Sequence, residues 1–366
     1  MPRWLAIAAI ALAVASPPAA EPIRIRLFEN PADFETQQAD RGFRLGLDYA
    51  TKGTLSIEGR AIEVTVFDGS RIDDSRADLE VSLVDTLAPE VLDAALATKR
   101  VLVLARGDRP LAANRYVFRT AHTASQLALA CVTALGFPEL NLFALAPDTS
   151  RGHDSVVALK DALERIPRGV FYAGAKFIRA DEPDVGAAVS NEYDGLHYLH
   201  GAKTLLMLWD GGEPPIVAIT ATNPGQFGIR LALCGNMDPH AAAGLQASAL
   251  EGVTSYFYAL TRNAANDWLI AHTRERPDEV MIDGMDAAIA IVQALTSAQS
   301  TEADALVSRL EGLSFETPKG RMTIRPEDHQ ALQAMYHFRV EPPSTLPELA
   351  REIESSEIPL PIERGP

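Results

Sequence analysis

Apolar positions along the chain recur with two periods, and the periods alternate. "IRIRLF" (Ile23–Phe28) reads as a strand, and Asp33 to Ala50 places Phe43, Leu47 and Ala50 at helical spacing. Strands follow at Ala61–Phe67 and Asp78–Val84, then a helix over Pro89–Thr98 and a strand over Arg100–Ala105. This βαβ order implies a parallel sheet with right-handed crossovers. The order then restarts. Asn114–Thr120 is extended, and the spacing predicts helices over Thr123–Leu135, Ser155–Arg165 and Val185–Tyr198. Between and after them stand strands at Asn141–Ala146, Gly169–Phe177, Lys203–Trp209 and Gly228–Cys234, the last of this second series. Helices over Ala264–Arg274, Glu279–Ala298 and Ala303–Leu310 come next.

"FETPKGRMTIRPEDHQALQAMYHFRV" (Phe315–Val340) departs from that pattern. Gly320 turns the chain, "RMTI" is a short strand, "PEDH" is a turn and "LQAMYHFRV" is an edge strand. Three segments join the two βα series: Arg115–Thr120, Ser255–Leu260 and Thr323–Gln333. A chain that passes three times between two halves makes a three-stranded hinge. A terminal hairpin on a single globule is the alternative. The Pro- and Glu-rich tail after Val340 reads as an extended, loosely held segment.

Composition narrows the class. The chain has 366 residues, 47% of them hydrophobic, and a formal charge of −16. An acidic surface argues against nucleic acid and anionic membranes as partners. Arg3 followed by the apolar run Trp4–Ala15 and small residues has the form of a cleaved export signal. Ala13-Val14-Ala15 and Ala20 are the two candidate cleavage positions. No later segment reads as a membrane helix. No cysteine follows the signal to carry a lipid. Cys131 and Cys234 read as buried small hydrophobes, with a disulfide as the alternative outside the cytoplasm.

No G-x-S-x-G elbow, P-loop, G-x-G-x-x-G or C-x-x-C is present, so no enzyme class is indicated, and no catalytic residue, cofactor or metal is assigned. His197 and His200 share a helical spacing, but no third ligand is evident, and a solvated helix end explains them better.

The closing stretch, "DRGFRLGLDYA" with "IEVTVFD", "NRYVFRT", and "GVTSYFYALTRNAANDWLIAHTRERPDEVMIDGMDAAIAIVQAL" together resemble the branched-chain amino acid (Liv-type) group of periplasmic type I substrate-binding proteins. The resemblance spans most of the chain and keeps the family's order. It implies an α/β fold of two Rossmann-like lobes joined by a three-stranded hinge, with ligand held in the cleft. The expected division is 1–20 signal peptide, 21–118 with 259–322 lobe one, 119–258 with 323–345 lobe two, and 346–366 an extended tail. The implied role is periplasmic capture of a small molecule (amino acid, amide or aromatic/carboxylic acid) for ABC permease subunits in the inner membrane. A sensory or regulatory protein of the same fold, with lost or altered ligand binding, is the alternative.

Open α/β sheets bind ligands outside the carboxyl ends of their strands. The loop residues that this selects are Asp85, Thr86 and Arg106 in lobe one, and Asp148, Thr149, Arg151, Trp209, Asp210 and Asn236 in lobe two, with Tyr256 at the hinge. Thr86 and Thr149 suit a ligand carboxylate, Asp85, Asp148 or Asp210 an ammonium, and Trp209 or Tyr256 an apolar wall. Each has a plainer reading. Thr86 and Asp148 are good helix caps. Trp209 ends an apolar strand. Arg106 and Arg151 stand near Asp108 and Asp154, with which they can pair in solvent. The chain also departs from the family. "SLVDTLAPE" replaces a Gly-Pro and Ser-rich turn, and "DTSRGHD" lacks an aromatic residue. Only ten residues, Gly69–Asp78, join two presumed parallel strands, so a helix there is missing or cut to one turn.

Overall fold

The protein is represented by a computed structural model that describes residues 20–67, 76–87, 89–107, 114–237, 249–342, 344 and 346–362. The expected signal peptide and most of the Gly69–Asp78 link lie outside the described residues.

The first sheet has six strands: β1 (Ile23–Phe28), β2 (Ser56–Ile57), β3 (Arg60–Phe67), β4 (Leu79–Ser82), β5 (Val101–Leu104) and β6 (Val117–Arg119), in the order β2-β3-β1-β4-β5-β6. All pairings are parallel except the β2–β3 hairpin. β3 and β4 flank β1 on opposite sides. Alternation along β1 sends Ile23, Ile25 and Leu27 to one face. There they meet α1 (Phe34–Ala50) and the long helix described below in a single core. The other face carries charge. Arg26 is the register partner of Glu80 on β4, and Glu80 accepts from Arg26 at 3.0 Å and from Arg100 at 3.3 Å. The side chains of Arg26 and Glu80 are each 4% exposed.

Helix α2 (Pro89–Thr98) joins β4 to β5. The second sheet uses α3 (Ala124–Leu135), β7 (Leu140–Pro147), α4 (Ser150–Arg165), β8 (Phe171–Ile178), α5 (Val185–Ser190), α6 (Tyr193–His197), β9 (Ala202–Trp209), α7 (Ile216–Thr220), β10 (Ile229–Gly235) and β11 (Leu250–Thr254). The single helix expected over Val185–Tyr198 is two short ones, divided at Asn191–Glu192. β11 extends the parallel series beyond Gly228–Cys234, the strand expected to end it. α3 and α4 close one face of the sheet, and α5 to α7 close the other.

Cys131 on α3 and Cys234 on β10 form a disulfide with a Cα–Cα distance of 6.1 Å. The expectation of two free, buried thiols is therefore corrected. Both sites are buried and apolar, as expected, but the helix packs its Cys131 face directly onto the strand.

The chain returns to the first lobe as α8 (Ala264–His272), α9 (Glu279–Ala298) and α10 (Ala303–Leu310). α9 is long and apolar enough to cross a membrane by composition, contrary to the sequence reading. It is instead the core helix of this lobe, with 83% of its most apolar window buried. α1 lies against it backbone to backbone. A Cβ added at Gly42 or Gly284 would collide with main-chain atoms of the facing helix.

A small antiparallel sheet, β12 (Ser314–Thr317), β13 (Gly320–Ile324) and β14 (Ala331–Gln333), follows. Ala331 belongs to the first core, and Met335 to the second. β15 (Met335–Val340) then joins the second sheet antiparallel to β11. It is not the edge. β16 (Glu348–Ile353), from the tail expected to be loose, pairs with it on the far side. Ile353 and Ile358 are buried, and Arg325 donates to the carbonyls of Leu360 and Pro361. Two of the three crossovers are bonded to each other, because the Arg119 N–H donates to His329 and its guanidinium to Gln330.

Candidate functional site

The loops that follow the carboxyl ends of the strands in the two lobes meet, and charged side chains link them. Glu35 stands in the first turn of α1, behind the cap Asp33. Its carboxylate accepts from Arg106, on the loop after β5, at 2.5 Å. Arg106 Nη2 also lies 3.1 Å from Asp85 Oδ1, on the loop after β4. The second Asp85 oxygen lies 3.4 Å from Arg151 Nη1, which comes from the first turn of α4 in the other lobe. Arg151 Nε reaches Asp210 at 3.5 Å, after β9. Asp210 and Glu279, the first residue of α9, hold His122 between them, each 3.3 Å from a different ring nitrogen. Lys319 ends the series, 3.6 Å from Glu279 and 2.6 Å from Asp283. Ser255 also donates to Glu279.

The electrostatics follow from burial and neighbours. Burial disfavours the charged His122 ring, yet Asp210 and Glu279 outweigh it, and its pKa lies above the ordinary 6.5. Burial would raise Asp210, but Arg151 and His122 hold it well below the usual carboxylate range. Burial raises Asp85, despite the two guanidinium groups beside it. Glu279 is also raised by burial.

His122, Asp210 and Glu279 offer ligand atoms within 4.8 Å of one another, close enough for a shared cation. The positive charge there is already supplied by Arg151 and Lys319. His122 also presents a different nitrogen to each carboxylate, which suits an imidazolium ring better than a metal ligand. His197 and His200 form no such cluster among the described residues.

Of the sequence candidates, Asp85, Arg106, Arg151 and Asp210 are brought together. Arg151 pairs across the cleft rather than with Asp154, and Asp108 lies outside the described residues. Thr149 caps α4, accepting from the Gly152 N–H at 3.1 Å. Asp148 pairs with His153 at 2.9 Å. Thr86 is exposed on the loop before α2. Trp209 packs against the second lobe's core, and its carbonyl accepts from the N–H of Asn236, which is buried. Tyr256 turns into the first lobe's core, where its hydroxyl donates to Asn266 at 2.7 Å.

Glu35, His122, Glu279 and Lys319 escaped the sequence reading. Two carried a signal. Glu35 and Glu279 each follow an Asp N-cap at the start of a helix that points at the cleft.

Two βα lobes tied by three crossovers, with charged strand-end loops facing across a cleft, define a two-lobed small-molecule binding protein. The chain matches the periplasmic binding protein family over residues 31–345, and it belongs to that family. A branched-chain amino acid ABC-type transporter protein of Rhodopseudomonas palustris is 32% identical. The match covers 93% of this chain and 99% of that one, with a TM-score of 0.77. A solute-binding protein of Rhodopseudomonas palustris BisB5, solved with 3,4-dihydroxybenzoic acid, shares the fold at 16% identity, 92% and 98% coverage and a TM-score of 0.72. An amino acid transporter substrate-binding protein of Pseudomonas fluorescens Pf-5 does so at 16% identity, 92% and 96% coverage and a TM-score of 0.69. No curated protein matches. The family is one of periplasmic transport proteins that bind small solutes and serve ABC permeases.

Proposed function

We propose that the mature chain captures a small molecule of the amino acid, amide or aromatic/carboxylic acid class in the interlobe cleft and delivers it to an ABC permease without chemical change. In this reading residues 1–20 are removed on export. Residues 21–118 with 259–322 form lobe one, 119–258 with 323–345 form lobe two, and the tail after residue 345 is fastened to lobe two. Arg106, Arg151 and Asp210 are the principal ligand contacts, with Asp85 standing at the same place between the two arginines. Thr86, Asp148, Thr149, Trp209, Asn236 and Tyr256 shape or support the surrounding loops.

One observation carries the proposal: Arg151 of one lobe reaches Asp85 of the other across the strand-end loops. Such a contact exists only while the lobes are closed, so whatever enters the cleft must act on the open–closed balance. Calorimetric titration of the mature chain with leucine, valine, benzoate, 4-hydroxybenzoate and benzamide tests it. The expected result is saturable one-to-one binding of at least one of them, with a decrease in radius of gyration. Absence of binding across the panel and its wider chemical relatives would sink the capture role.

A further inference from the structure

Arg106 and Arg151 come from opposite lobes and converge on a single carboxylate, that of Asp85. Each Asp85 oxygen takes one guanidinium, which is how a ligand carboxylate would bridge the same two groups. The two arginines differ in exposure, 3% for the Arg106 side chain and 26% for that of Arg151. Arg106 is fixed by Glu35. Its Nη1 is buried and has no hydrogen-bond partner among the described residues, so part of its fork remains uncommitted. Asp85 stands on a loop, and its side chain is 42% exposed. It is the partner that can swing into water. Glycines fit the loops around it: a Cβ at Gly107 would strike the Asp85 carbonyl, and one at Gly211 would press on Arg151.

We propose that the ligand presents a carboxylate to Arg106 and Arg151 together, and that Asp85 is a built-in stand-in which the ligand displaces. The inference rests on the capture reading and narrows its ligand class to carboxylic acids. Charge balance argues for it. Exchanging one carboxylate for another leaves the number of charges in the cleft unchanged. A neutral amide in the same place would take one carboxylate from each guanidinium, leaving Glu35 on Arg106 and Asp210 on Arg151, and in a closed cleft that is costly.

The test is chemical rescue. Asp85→Ala removes the stand-in. Its melting temperature is expected to fall, and to rise again with sodium acetate but not with acetamide or with sodium chloride at equal ionic strength. Adding Arg151→Gln should abolish the acetate response. Equal responses to acetate and acetamide, no response to either, or rescue that persists without Arg151 would overturn the proposal. If Asp85→Ala does not fold, Asp85→Asn keeps the side-chain shape, and the same two additives are applied to it. In titrations, Asp85→Asn should bind benzoate about tenfold more tightly than the parent does, with benzamide unchanged. A neutral compound that proves the tight ligand would leave solute capture standing and remove this inference. A chain that binds nothing would remove capture, while the acetate response still reports on the arginine pair.

Discussion

Two groups of charge involve the first lobe, and they do different work. Arg26 and Glu80 sit on adjacent strands of the first sheet as direct register neighbours, and Arg100 immediately precedes the next strand. Arg106, Asp85 and Arg151 have the same chemistry but straddle two lobes. The first group forms when the sheet forms and cannot part without unfolding. The second forms only when two rigid bodies meet. Ion pairs within one rigid element fix a fold, and ion pairs between elements set a conformational balance.

Breaking the sheet group should have the largest effect. Glu80→Ala takes a buried carboxylate away from buried Arg26 and is expected to cost about 3–5 kcal/mol in urea unfolding. Ligand affinity should change little. Replacing both cysteines by serine frees the 103-residue separation that the disulfide closes. The chain-entropy account expects a loss of about 2–5 kcal/mol, read from the same unfolding curves, again with affinity retained.

The cleft group should behave in the opposite way. Arg151→Gln is expected to change stability by no more than about 1 kcal/mol, because Asp85 is partly solvated. Small-angle scattering of the ligand-free variant should nevertheless show a larger radius of gyration than the parent. A stability loss as large as that of Glu80→Ala, with no opening, would erase the distinction.

The smallest effect is a pH dependence. A raised pKa in the folded state means that the contribution of His122 is complete below its ordinary 6.5 and is lost as pH rises through the raised value. Glu279, also raised, adds to that trend. Lys319 faces the same group and opposes protonation of the ring. Asp210, held low, contributes above its unfolded value and loses that contribution only in strong acid. Melting temperature should therefore decline on the alkaline side of neutrality, and His122→Gln should flatten the decline.

Most of the fold could be read from the chain because its periods are strong. α9 and α10 have the bounds that the apolar spacing predicts, and α1 begins one residue after its predicted start at Asp33, which is its cap. The errors have local causes. β11 lies next to residues of weak pattern, and its "LEGVT" lacks a strand's run of apolar positions. β16 reads "ELAREI", five of its six residues are exposed, and only its partner strand reveals it. The disulfide joins residues 103 apart in chains of apolar neighbours, and spacing alone cannot pair them. At the site, Asp85, Arg106, Arg151 and Asp210 followed from the rule about strand ends. His122 and Lys319 did not, because they stand on a crossover and a hairpin turn whose positions depend on how the lobes are joined.

β16 has a practical meaning for anyone who shortens the chain. A version ending at residue 345 would strip the cover from β15, leaving a long row of unpaired amides on an otherwise apolar strand, and would also empty the holes filled by Ile353 and Ile358. Such a rim is a template for strand-to-strand association between molecules, so the truncated protein should precipitate or dimerise while the full chain stays in solution.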